Sequence, residues 1–264
     1  MTTRNWRLKE RKIKCPASTL CIDKYVPSTK VVKVFTENTV WNSPKRPGIA
    51  LYVVVGGGGG GGGSFDTGAG GGGGGGFVSI GQTHFGSDNQ YNIIVGAGGA
   101  GGGGTTSRSN AEYDGQDGGF SRFINVIAPG GKGGLSSRNT NGDPGGGGIK
   151  ASNATRDIVP PSGGHGSGVS IGDNVRSTTG GGGGGGNSTD GGRPYGGIGL
   201  SHGLSGSNLV YGTGGNGGEL DKGTSGRNAD ANTGNGGDGS SSGIIDGQTG
   251  GKGGSGIVII EYYI

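Results

Sequence analysis

Apolar residues along the chain gather in short β-rich runs separated by long stretches that contain almost none. The first runs are 31–35 (VVKVF) and 49–55 (IALYVVV), joined by 36–48 with its Asn, Ser, Pro and Gly turn formers. This pattern predicts two strands, as a hairpin or as a pair of sandwich strands, with Trp41 covering one side. Residues 77–80, 91–95 and 120–128 predict further strands, and 256–264 (GIVIIEYYI) predicts a last one. Their apolar side chains read as the buried core of a small β base. Residues 1–30 predict an irregular or partly helical head, with Trp6 and Leu8 as anchors and Pro16 and Pro27 bounding a short loop.

Between these strands lie blocks of glycine. The first, 56–63, is eight consecutive glycines; others fall at 70–76, 96–104, 129–134, 145–148, 163–168, 180–186, 191–199, 212–218, 234–239 and 247–256. Glycine loses the most backbone entropy on ordering and brings no side chain to pack, so neither helix nor strand is expected there. Two structures remain: flexible linkers, or extended threefold helices with three residues per turn and about 3.1 Å rise. Residues without a β-carbon let such helices pack backbone to backbone, with lateral N–H···O=C bonds satisfying the main chain. One bond contributes about 0.5–1.5 kcal/mol net against about 1–2 kcal/mol of ordering entropy per residue. A single run is therefore disordered, while a lattice of about ten runs sharing neighbours is stable. Linkers need domains to link, and recurring blocks of similar length leave none, so the pattern favours the lattice.

Composition supports this picture. Hydrophobic residues make up 27% of the 264, too few for a conventional core of that size. Of 75 glycines only Gly48 precedes residue 56, which divides the chain into 1–55, a basic attachment head with strands leading into the array, and 56–264, a glycine-rich domain with its C-terminal strand. The head carries a net charge of +8 and the remainder −4, together the +4 of the whole chain. The basic balance thus belongs to the head, and the glycine array offers no stripe for nucleic acid. The first fifteen residues lack the apolar segment of a secretory signal, and no apolar run is long enough to span a bilayer.

Candidate chemistry is sparse. Cys15 and Cys21 have no histidine nearby and no CxxC spacing, which points to a free or optionally bridged pair. The many GxGxxG matches are uninformative in such composition, and Lys132 and Lys252 are each followed by glycine, unlike a phosphate loop. His84, His165 and His202 lie in separate segments without ligand spacing. No catalytic residues, no metal and no cofactor are expected, and the protein is expected not to be an enzyme.

The stretches FTENTVWNSP, IALYVVVGGGGGGGG, YNIIVGAGGAGG, GGRPYG at 191–196 and GGSGIVIIEY resemble the glycine-rich domain of phage tail-fibre proteins. They are similar to the adhesins that cap the long tail fibres of T-even-type bacteriophages, over about residues 35–264. The resemblance implies a layered sandwich of polyglycine II helices, mostly irregular and all-β in class, clamped by a β base of N- and C-terminal strands. It implies a virion protein of the tail fibre or tail tip, made in the host cytoplasm. Loops at the distal tip would select a bacterial outer-membrane protein or polysaccharide such as lipopolysaccharide. The N-terminal region would dock to a fibre or tail-tip protein, with Trp6, Arg7, Leu8, Lys9, Arg11 and Lys12 as attachment residues. No nucleic acid partner and no membrane insertion follow.

With both terminal strands at the base, the chain crosses the bundle an even number of times. Eleven blocks plus the strand near 118–128 make twelve passes. Alternation then places 64–69, 105–117, 135–144, 169–179, 200–211 and 240–246 at the tip, and 77–95, 149–162, 187–190 and 219–233 at the base. The tip loops supply receptor-binding candidates: Phe65, Tyr113 and Tyr211 as rigid contact area, with Asp66, Arg108, Asn110, Asp114, Arg138, Asn139, Asn174, Arg176, His202 and Asn208 for hydrogen bonds. For Phe65 and Tyr211 the alternative is shielding of glycine helix ends; for Arg138 and Arg176 it is solvation. The rival readings of the whole chain are a purely structural tail component, an ice-binding protein and a disordered chain.

Overall fold

The computed structural model describes residues 29–64, 69–104, 113–136, 195–218, 223–241 and 247–264. Among them the class is all-β and irregular, with strands but no α-helix. Lys30–Phe35 (β1), Gly48–Val55 (β3), Val78–Phe85 (β4) and Ile257–Tyr263 (β10) form one antiparallel sheet in the order β1-β10-β3-β4. Of the two arrangements expected for 31–35 and 49–55, the hairpin does not occur, because the last strand lies between them. Nor does the compositional boundary at 55/56 part the fold, since β3 pairs with both β4 and β10.

Alternation along β3 sends its side chains to two cores. Ala50, Tyr52 and Val54 join Phe85, Val258, Ile260 and Tyr262 on one face, covered by Trp41, Ile93 and Phe123. The cover comes from Thr39–Asn42 (β2) paired with Gln90–Ile93 (β5), and from the hairpin of Ser121–Phe123 (β6) with Val126–Ala128 (β7). The segment 120–128, expected as one strand, is thus a hairpin, turning at Ile124 with φ +52°. Val53, Val55, Ile257 and Ile259 face the other way, under Tyr211, Leu200 and Leu204. Those belong to the hairpin of Leu200–His202 (β8) with Leu209–Tyr211 (β9). On the same face Glu261 is buried and accepts from Lys30 Nζ at 2.7 Å.

Beyond the sheet, residues 56–64 run outward as the axis of a bundle. Their N–H groups point in turn to three neighbours, with a period of three residues. Gly56, Gly59 and Gly62 donate to Phe77, Gly74 and Gly71; Gly57, Gly60 and Gly63 to Gly119, Gln116 and Tyr113; Gly58, Gly61 and Ser64 to Gly254, Gly251 and Gln248, all at 2.8–3.0 Å. These neighbours run antiparallel to the axis. Its carbonyls accept from three parallel ones: Gly57 and Gly60 from Gly131 and Gly134, Gly58 and Gly61 from Gly99 and Gly102, Gly59 and Gly62 from Gly237 and Ser240.

The six neighbours bond to one another around the ring in the order 70–77, 129–136, 113–119, 96–104, 247–256, 234–241, alternating in direction. Residues 212–218 and 223–230 add to the outside of this ring, and 195–199 to the outside of 212–218. A methyl group placed on any of Gly56 to Gly63 would overlap a backbone carbonyl of a neighbouring run. Positions 56–63 therefore exclude every side chain, which is why the sequence there is glycine alone.

Candidate functional site

The direction of each run identifies the two ends of the bundle. Runs 56–64, 96–104, 129–136, 212–218 and 234–241 leave the sheet; 70–77, 113–119, 195–199, 223–230 and 247–256 return to it. The far end therefore collects Ser64, Ala69, Gly104, Tyr113, Ser136, Tyr195, Gly218, Gly223, Ser241 and Gly247, the described residues at which runs break off or resume.

Side chains tie these run ends together. Ser64, buried behind eight glycines, accepts from Gln248 N–H at 2.8 Å while its own N–H donates to the Gln248 carbonyl. Asp114 Oδ1 accepts from both the N–H and the hydroxyl of Ser136, at 2.7 and 2.8 Å. Ser241 N–H donates to the Thr224 carbonyl at 2.8 Å. Tyr113 is half-buried, its ring beside Gly103.

Of the residues expected at the tip, Tyr113 and Asp114 stand there. His202, Asn208 and Tyr211 do not, because the hairpin 200–211 packs on the sheet at the opposite end. Tyr211 is fully buried, against Val53, Val55, Val78, Ile257 and Ile259, so it cannot touch a receptor. His202 Nδ1 accepts from Leu204 N–H at 3.1 Å within that hairpin. Phe65, Asp66, Arg108, Asn110, Arg138, Asn139, Asn174 and Arg176 lie outside the described residues, as do Trp6, Arg7, Leu8, Lys9, Arg11 and Lys12.

Within the described residues the inversion has one source. Residues 223–230 (GTSGRNAD) carry few glycines and were expected within a base loop, yet they make a full returning pass. Thr224 and Arg227 accept from Ser241 and Asp238, and Gly226 and Ala229 donate to Thr249 and Lys252. The base turn is confined to 231–233, where Asn232 takes φ +63°. Gly218 and Gly223, flanking 219–222, thus stand at the far end. A signal was present: Thr224, Arg227 and Asp230 keep the threefold spacing, and Asn232 followed by Gly234 supplies the turn.

Where a run borders solvent, carboxylate and carboxamide side chains replace the missing neighbour's carbonyl. Asp117 accepts from Gly133 N–H, Asn216 from Gly196, Asn228 from Lys252, Asn235 from Thr213, and Asp238 from Asn216, at 2.7–3.0 Å. Asp and Asn serve alike because each brings one short, planar acceptor oxygen. Burial pushes the Asp238 carboxyl above its ordinary value, outweighing the Asn216 hydrogen bond and the Arg227 charge that pull it down.

A raised carboxyl holds its proton more tightly folded than unfolded, so stability falls as pH rises through that window and stays lower above it. Asp238→Asn keeps the acceptor oxygen without the charge. Its melting temperature is expected above the parent's at pH 7, with the difference closing below about pH 3.8, as read by calorimetry across pH.

Among the described residues no group of three or more His, Cys, Asp or Glu is placed to hold a metal ion. The far end thus offers shape and hydrogen bonding carried on a bundle that its own backbone holds together. The glycine-rich domain family model matches residues 34–263. The chain belongs to that family. The match begins inside β1 and ends at the last residue of β10, so this glycine-rich domain includes the β base, apart from the first four residues of β1, as well as the runs. Among curated proteins, none matches the chain.

Proposed function

We propose that this glycine-rich domain is a non-enzymatic adhesin of a phage tail fibre or tail tip. Its runs are polyglycine II helices in a layered sandwich, and segments at the far end bind a bacterial outer-membrane protein or polysaccharide. The observation that carries the reading is the axial run with its six bonded neighbours. A rod held by backbone on every side keeps its end segments in place before any partner arrives, so ordering entropy is met at folding and not at binding. Loops on such a support can vary without disturbing it. The resemblance of the chain's opening and closing stretches to phage tail-fibre adhesins supports the same reading. The mount belongs at the opposite end, where residues 1–28 lead into Thr29, itself paired with Ile264 beside β1 and β10.

The test is binding of the purified full chain to bacterial envelopes, with 65–68, 105–112, 219–222 or 242–246 replaced one at a time by Gly-Ser segments of equal length. Loss of binding in at least one replacement with unchanged melting temperature supports adhesion. Binding that survives every replacement overturns the placement of the contact in these segments, and no envelope binding by the parent across bacterial strains leaves a purely structural tail component as the better account.

A further inference from the structure

A run made only of glycine cannot count. The axis 56–63 is the same at every step of its screw, so sliding it by one residue puts a glycine where a glycine was. Its height in the bundle must be set by something else. Two features do this.

The first is the β base. The antiparallel register of β3 with β4, ending at Val55 opposite Val78, continues without a shift into Gly56 with Phe77, Gly59 with Gly74 and Gly62 with Gly71. The register of β3 with β10, ending at Val55 opposite Ile257, continues into Gly58 with Gly254 and Gly61 with Gly251. The β6–β7 hairpin continues into Gly118 with Gly131 and Gly115 with Gly134, and β8–β9 into Gly197 with Gly214. Ser121 pins these feet together: its hydroxyl donates to the Val55 carbonyl at 2.6 Å and accepts from Gly96 N–H at 2.9 Å.

The second is a hidden triplet in the outer runs. Ala97 and Ala100, Lys132 and Leu135, Thr213 and Asn216, Asn235 and Asp238, Thr249 and Lys252 each stand three apart with glycines between. They occupy the one azimuth of three that has room for a side chain, turned to solvent or, for Asn235 and Asp238, onto the N–H groups of Thr213 and Asn216. At the other two azimuths of 96–104, a methyl on Gly99 would overlap the Gln116 carbonyl and one on Gly101 the Gly250 carbonyl.

We infer that the β base is the register key of the bundle, and that each outer run delivers its far-end segment at a height adjustable only in whole triplets. One triplet is a step of about 9 Å at about 3.1 Å per residue. The axis alone is free of this phase. On the adhesin reading, the relief of the binding surface is then quantised, and a loop exchanged between such proteins keeps its pose only if the run beneath it keeps phase.

Three insertions in the full chain test this, read by thermal unfolding and by amide hydrogen exchange. Ala-Gly-Gly inserted before Ala100 returns every side chain to the outward azimuth. The melting temperature and the protection of Gly57, Gly60 and Gly63 are expected to stay near the parent's. A single glycine inserted at the same place turns Ala100 into the position of Gly101, against the Gly250 carbonyl; protection at those amides is expected to fall more than about tenfold. A single glycine between Gly59 and Gly60 puts glycine on glycine through 63 and moves only Ser64 from its place beside Gln248, so protection along 57–63 is expected to persist. Equal effects of one and three residues in 96–104, or collapse from the axial insertion, would overturn the inference. Because the readout is the fold, the outcome is separate from that of the envelope assay.

Discussion

Gly60→Ala abolishes the cooperative fold of the glycine bundle, or lowers its melting temperature by about 10 °C or more. The added methyl overlaps the carbonyl carbon and oxygen of Ala100, with the Gly101 nitrogen close behind. Overpacking an ordinary core costs typically about 1–3 kcal/mol because side chains give way. Here the obstacle is main chain, and that main chain is itself bonded to the next run around the ring. The disturbance therefore has nowhere to relax, and a loss at or above about 3 kcal/mol is expected, which corresponds to that temperature shift for a domain of this size. Ala100→Gly is the matched control. Its methyl faces outward, so it should change stability by no more than about 1 kcal/mol, through unfolded-state entropy alone. Calorimetry on the two variants checks both statements, and comparable losses would sink the account of the axis as a side-chain-free zone.

Trp41→Ala is the second large effect. Trp41 is buried at the centre of an aromatic cluster, with ring centroids of Phe85, Tyr91, Phe123 and Tyr262 at 5.3, 5.6, 5.7 and 5.5 Å. Truncating a buried tryptophan costs about 3–5 kcal/mol through lost burial and the cavity left behind. These neighbours come from β4, β5, β6 and β10, so one substitution loosens the sheet and the layer that covers it. If the base keys the runs, this variant should also lose amide protection in 56–64, far from the substitution. Retained protection there alongside a lowered melting temperature would mean that the bundle stands without its base. Trp41→Phe should be mild by comparison, since Trp41 Nε1 has no hydrogen-bond partner to lose.

The sequence by itself determined the chemistry of the two halves of this fold. Alternating or continuous β-branched runs such as 49–55 and 257–263 read as strands, and both are, the second buried up to Tyr262 and the first except at Ile49 and Leu51. Eight consecutive glycines can only be a linker or a close-packed axis, because no side chain is present to decide anything else. The outward triplets were legible too, as Ala-Gly-Gly or Lys-Gly-Gly repeats, although a strict repeat through the whole chain is absent and they escape a search for one.

Tertiary structure alone decided which way each run travels and what stands at its end. Direction is a parity, and one unrecognised pass inverts everything before or after it; 223–230 hid its pass because an outer run tolerates side chains on its solvent side. Tyr211 shows the consequence, moving from an expected contact surface to the buried underside of the sheet. The pairing of β10 between β1 and β3 was equally beyond local reading, since strand order is a matter of which distant apolar faces meet. Side chains carry local instructions, whereas a backbone lattice bonds equally well in either sense. Its direction and height are inherited from the strands that anchor it.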